Sequence, residues 1–145
     1  MDARDDERRS SIDGGLHVSN TLTRGVRVIV QPEYLPEQSL PEADRWLFAY
    51  HVLLRNEGEQ TVQLLNRHWV ITNGEGEVDE VRGAGVIGQQ PELEPGAEFH
   101  YSSGCPLDTP VGTMHGEYEM RVVATDETFE AKIAPFRLAV PSALN

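Results

Sequence analysis

Apolar and polar residues alternate along most of the chain, and this period of two is typical of half-buried β-strands. The clearest run lies between residues 45 and 55, where the even positions are bulky and apolar: Trp46, Phe48, Tyr50, Val52 and Leu54. Residues 26–31, 99–103, 117–125 and 129–133 alternate in the same way. No segment carries the apolar stripe of an amphipathic helix. The pattern predicts an almost all-β protein.

The alternation changes phase at two places. Between residues 62 and 73 the change falls near Asn66-Arg67, and towards the end of the chain it falls at Ala134-Pro135. One inserted residue moves all following side chains to the other face of a sheet, so each position predicts a β-bulge.

Turn-forming residues separate the predicted strands, notably at Asn56-Glu57-Gly58, Asn73-Gly74-Glu75-Gly76, Glu94-Pro95-Gly96 and Thr125-Asp126-Glu127. About seven strands at this spacing predict an antiparallel β-sandwich of the immunoglobulin or fibronectin-III type. Trp46 and Trp69 are the expected aromatic anchors of its core.

Composition divides the chain into an arm and one domain. Residues 1–20 are polar and charged and include Asp13-Gly14-Gly15, so we expect a disordered N-terminal arm. The alternating segments place a single domain over residues 21–141, which suits a chain of 145 residues.

Charge and cysteine content narrow the function classes. The net charge of −12 disfavours both nucleic acid and anionic membrane surfaces as partners. The single cysteine, Cys105, excludes an intrachain disulfide. The first residues lack the apolar stretch of a signal peptide, and no apolar run approaches the ~18 residues of a membrane span. We therefore expect a cytoplasmic protein.

The segment Gly83-Ala84-Gly85-Val86-Ile87-Gly88 spells the G-x-G-x-x-G pattern of dinucleotide-binding proteins. That fold needs a helix directly after the motif, whereas Gln89-Gln90-Pro91 follows here, so a βαβ unit is excluded. Two interpretations remain. The backbone N–H groups of the loop could face an anion, helped by Arg82, or the glycines could only permit positive φ or a close backbone approach. The candidate ligand-binding residues are Arg82, Gly83, Gly85 and Gly88.

Other reactive residues form no catalytic or metal-binding pattern in the sequence. None of the five histidines has zinc-site spacing, although His68, His100 and His115 could still meet in space. Cys105 could be a nucleophile beside a histidine, but a lone cysteine is more often a small buried apolar residue. We expect no catalytic residue, no metal site and no cofactor.

Several segments, in order, resemble the ApaG family. They include Val62-Gln63-Leu64-Leu65-Asn66-Arg67-His68-Trp69, the glycine segment through Pro91, Tyr101-Ser102-Ser103-Gly104-Cys105, Thr109-Pro110-Val111-Gly112-Thr113-Met114 and Phe136-Arg137-Leu138-Ala139-Val140-Pro141. The resemblance covers about residues 21–141 and implies a fibronectin-III-like sandwich. It also implies an association with cobalt and magnesium tolerance, as in bacterial members. Related domains in eukaryotic F-box proteins and in a polymerase-interacting protein look like interaction modules.

Two classes of function follow. The first is a non-catalytic module that binds an unidentified protein partner or a small phosphorylated ligand through loops on a rigid scaffold. The second is a phosphate-, pyrophosphate- or nucleotide-binding protein, or a metal-handling enzyme, that uses the glycine segment and Arg82. An apolar patch on an exposed edge would favour the first class, and a cluster of histidines and acids beside the glycine segment would favour the second. The oligomeric state does not follow from the sequence.

Overall fold

The computed structural model describes residues 18–144, which fold into strands joined by short turns. The strands are β1 Ser19–Thr23, β2 Val26–Tyr34, β3 Trp46–Asn56, β4 Val62–Asn73, β5 Val78–Ala84, β6 Glu92–Leu93, β7 Glu98–Leu107, β8 Val111–Val122 and β9 Thr128–Ala139. Short 3-10 turns cover Pro36–Gln38, Pro41–Ala43 and Pro141–Leu144. The predicted all-β class is confirmed.

The strands form two antiparallel sheets. The first sheet has the order β1-β2-β3-β7, and the second has the order β5-β4-β8-β9, with β6 paired to the start of β4. At one side of the sandwich the sheets are joined, because Thr21 and Thr23 of β1 accept hydrogen bonds from the backbone N–H groups of Ala134 and Lys132 in β9. At the opposite side, β7 ends one sheet and β5 ends the other. We call this second side the open side.

The core lies between the sheets and is built by the predicted alternation. Val26, Val28 and Val30 of β2 are fully buried, and the even positions of β3 from Phe48 to Leu54 face the same interior. The intervening residues are more exposed, as expected for strands with one face on the core. The sandwich therefore follows directly from the binary pattern.

Both predicted bulges are present. The pairing of β4 with β8 shifts between Leu64 and Asn66, one residue before the position expected from the sequence. The pairing of β8 with β9 shifts between Met114 and Gly116, opposite Ala134-Pro135.

The boundary predicted at residue 20 needs a correction. β1 begins at Ser19 and pairs with Val30 of β2, so residues 19 and 20 belong to the sandwich and not to an arm. Residues 1–17 of the predicted arm lie outside the described residues. Within residues 18–144, no helix has the length and apolar character needed to cross a membrane.

Replacement of Trp69 by alanine should destabilise the domain by about 3–5 kcal/mol, because the ring is almost completely buried and its loss leaves a large cavity. Trp46 is only partly buried against the core, so Trp46→Ala is the matched control with a smaller expected loss. Urea denaturation followed by circular dichroism measures both. Equal losses for the two variants would contradict the placement of Trp69 at the centre of the core.

Candidate functional site

The glycine segment ends β5 and forms a tight hairpin. The Gly85 N–H donates to the Leu65 carbonyl oxygen (2.8 Å), while Val86 and Gln89 exchange hydrogen bonds of 2.8 and 2.9 Å. Ile87 and Gly88 at the tip have φ values of 41° and 78°, the positive angles of a type I′ turn. The N–H groups of Gly85, Val86 and Gln89 therefore already donate to backbone carbonyls.

Arg67 holds the other side of this segment. Its Nη1 donates to the carbonyl oxygens of Ala84 (3.1 Å) and Gly85 (2.8 Å). Gly83 lies directly across from Arg67 in the β4–β5 pairing, and a Cβ there would stand 2.8 Å from the guanidinium carbon. The absence of a side chain at Gly83 thus leaves room for the guanidinium. The sequence reasoning missed Arg67, although its spacing of two from Trp69 places it on the core-facing side of β4.

Arg82 pairs with His68 of β4 and lies on the outer face of the second sheet. Its side chain is 70% exposed and makes a 3.3 Å ion pair with Glu80. Together with Gly83 it lines a groove of about 650 Å³ that also contains His68, Glu117 and residues of β9. Gly85 and Gly88 do not line this groove, so the structure brings together only two of the four predicted ligand-binding residues.

His68 is held between two carboxylates at the centre of the groove. Its Nδ1 lies 2.5 Å from Glu117 Oε2, and its Nε2 lies 2.7 Å from Glu80 Oε1. The hydrogen bond that the ring forms to the Glu117 carboxylate, and then that to the Glu80 carboxylate, raise the pKa of His68 above its usual 6.5. The hydrogen bond between His68 and Glu80 also lowers the pKa of the Glu80 carboxyl group. The imidazole therefore links three neighbouring strands on the outer face, β5, β4 and β8.

The other candidate chemistry is dispersed. His115 lies on the outer face of β8, whereas His100 lies on β7 in the first sheet, so the three histidines do not converge. No three potential metal ligands within residues 18–144 are grouped as a metal site. Cys105 is buried, and burial, followed by the charge of Asp79, raises the pKa of its thiol to about 11. A thiol with that pKa is a poor nucleophile near neutral pH.

Exposed apolar side chains concentrate at the open side. Within the part of the chain that the structure describes, the large apolar residues with exposed side chains are Leu22, Leu40, Val78, Val81 and Ile87. Val78 and Val81 belong to β5, and Ile87 follows directly after that strand. Leu40 and Val78 line a cleft of about 590 Å³ that includes Ile71 and Leu107. Only Leu22 of this set lies at the joined side, on β1.

The chain is similar to proteins of one known family. Residues 36–122 match the family model described as the ApaG domain. Protein ApaG of Pseudomonas putida (strain W619) is 56% identical over 120 residues, which cover 83% of this chain and 94% of that protein. Protein ApaG of Rhodospirillum centenum is 54% identical over 120 residues, with 83% and 92% covered.

A crystal structure of the ApaA protein from Bordetella pertussis is also similar. It superimposes with a TM-score of 0.79 at 49% identity, and the match covers 83% of this chain and 98% of that one. The names of these relatives state no activity.

Gly85→Ala should destabilise the protein more than Gly88→Ala. Both positions have positive φ, but a Cβ at Gly85 would lie 2.3 Å from the Gln89 carbonyl oxygen, whereas nothing lies within 4 Å of one at Gly88. Thermal unfolding of the two variants gives the comparison. A larger loss at Gly88 would show that the tip of the hairpin has a tighter environment than described.

The contribution of His68 to stability should fall as pH rises. Its folded-state pKa is raised above 6.5, so the contribution is complete below that pH and is lost as pH passes through the folded-state value. Stability measured in urea from about pH 6 to about pH 9 should therefore decline more steeply for the wild type than for His68→Gln.

The matched control for that titration is His115→Gln, which alters an exposed histidine on the same face. The control should retain the wild-type slope. Parallel curves for the wild type and His68→Gln would mean that the two carboxylates do not favour the imidazolium.

Proposed function

This chain belongs to the ApaG family, and we propose that it is a non-catalytic protein-interaction module that binds an extended polypeptide segment along β5. The supporting observation is the concentration of exposed apolar side chains on and beside this strand. An exposed edge strand that carries apolar side chains offers another chain a place to pair. Neither of the reactive groups considered above is poised for catalysis, since Cys105 is buried and His68 is bound on both ring nitrogens.

The backbone of β5 supplies the second part of the proposed recognition. No described strand lies beyond β5 in the second sheet, so one row of its N–H and C=O groups faces outward. A bound segment would extend the sheet, with main-chain hydrogen bonds giving affinity and alternate side chains giving specificity.

The cleft beside β5 could receive side chains of the bound segment. Leu40, Ile71, Val78 and Leu107 give it apolar walls, while Asp44, Asp79 and Asp108 place carboxylates around it. A bound segment would therefore find both apolar and polar contacts beside the strand.

Val81→Lys should abolish partner binding and leave the fold intact. Val81 is 39% exposed, so a lysine head group can reach solvent, while its charge opposes the approach of an apolar segment. Affinity capture from cytoplasmic extract, with bound proteins quantified by mass spectrometry, compares the variant with the wild type.

Leu22→Lys is the matched control, because Leu22 is a similarly exposed apolar residue on β1, at the joined side of the sandwich. It should capture the same proteins as the wild type. Equal capture by all three proteins would exclude β5 as the binding edge.

Phosphate binding is the second candidate function, favoured by one observation: Arg82 and the His68 imidazole face the same groove. We nevertheless expect a pyrophosphate titration followed by NMR to give no saturable shifts confined to residues 82–90. The N–H groups of Gly85, Val86 and Gln89 already have partners, and the net charge opposes an anion. Saturable shifts in these residues, reduced by Arg82→Ala, would instead establish an anion site.

A further inference from the structure

We propose that the segment bound along β5 is β5 of a second copy of this chain, paired antiparallel about a two-fold axis at Val81. This inference rests on the proposed function, which assigns β5 as the binding edge, and it adds the identity of a partner and the register of the pairing. It follows from the direction of the backbone groups and from the order of charges along the strand.

The hydrogen bonds at both ends of β5 determine which residues face outward. The Asn73 N–H donates to Glu77 O (3.0 Å), and the Gly85 N–H donates to Leu65 O (2.8 Å), both in the register that pairs Trp69 with Val81. Hydrogen-bonded pairs alternate along antiparallel strands. Odd-numbered residues from 77 to 85 therefore bond to β4, and the outward N–H and C=O groups belong to Val78, Glu80, Arg82 and Ala84.

A two-fold pairing of this edge with itself has three central registers. An axis at Glu80 would place two glutamates opposite each other, and an axis at Arg82 would do the same with two arginines. Like charges directly opposite destabilise a pair of strands, whereas opposite charges stabilise it. An axis at Val81 places Glu80 of each copy opposite Arg82 of the other, so both cross-strand pairs are complementary.

The same register satisfies the outward backbone. Val78 meets Ala84 and Glu80 meets Arg82, in both directions, so the outward N–H and C=O groups of these four residues lie opposite partners. The Ala84 carbonyl oxygen already accepts from Arg67 Nη1 (3.1 Å) and would accept a second hydrogen bond there. The two Val81 residues meet as a non-hydrogen-bonded pair, in which side chains approach most closely. Their 39% exposure in one copy is the apolar surface that this contact covers.

The association should be reversible, because two copies that each carry −12 repel one another at long range. Sedimentation velocity over a concentration series should show a monomer–dimer equilibrium. Glu80→Arg alone and Arg82→Glu alone should each be monomeric, since each puts like charges opposite one another. An equimolar mixture of the two variants should dimerise, because both cross-strand pairs are then complementary again.

A cross-link tests the position of the axis. In a Cys105→Ala background, Val81→Cys places two thiols across the axis at a Cα separation of about 4.5 Å, which a disulfide can span. Asp79→Cys is the matched control on the same face of β5, where the two thiol positions would be about 13 Å apart along the strands. We expect mild oxidation to give covalent dimers of the first variant and not of the second.

The outcomes separate this inference from the proposed function. Recovery of the dimer by the mixture, together with cross-linking through residue 81, would establish the pairing. A monomer at every concentration, or a dimer insensitive to both charge changes, would overturn it. If the wild type is monomeric and captures a different protein that Val81→Lys does not capture, the self-pairing is overturned but the proposed function stands. If Val81→Lys captures the same proteins as a monomeric wild type, the proposed function is overturned as well.

Discussion

The indole ring of Trp69 lies between the two sheets, in edge contact with Tyr50, Tyr118 and Phe136 at centroid distances of 5.0, 6.2 and 5.9 Å. Side chains alternate between faces along a strand, so this contact determines the direction of every neighbour on β4. His68 must then face outward and Arg67 inward. A slip of one residue would place the imidazole in the core and the ring in solvent.

The position of Trp69 also accounts for the properties of β5. Val81 pairs directly with Trp69 and so lies on the core-facing side of the second sheet, yet it remains 39% exposed, in keeping with the exposure of most of this edge strand. Arg67, on the same side, reaches under the glycine segment to its carbonyl groups. The edge position of β5 thus leaves an apolar side chain, Val81, next to outward-facing backbone groups. These are the two features that a strand-binding surface requires.

Local pattern predicted the six long strands β2, β3, β4, β7, β8 and β9, both bulges and the sandwich, because alternation and turn signals depend on neighbours within a few residues. β1 and β6 were not predicted, since one is held by pairing and threonine side chains and the other has only two residues. The roles of Gly83 and Gly85 depend on Arg67 and Gln89, whose proximity arises from strand pairing. The His68 cluster joins β4, β5 and β8, so spacing along the chain carries no signal for it.

The charges on β5 have a second consequence for specificity. Charged side chains on an edge strand normally protect a protein from unintended pairing. Glu80 and Arg82 lie two residues apart on the same face of β5. They oppose self-pairing about Glu80 or about Arg82 and favour self-pairing about Val81, so the same two charges disfavour wrong alignments and stabilise one. Glu80 also bonds to His68, which in turn bonds to Glu117. The edge and the outer groove are therefore connected, because any partner that engages Glu80 must share its carboxylate with the His68 ring, which lines the groove.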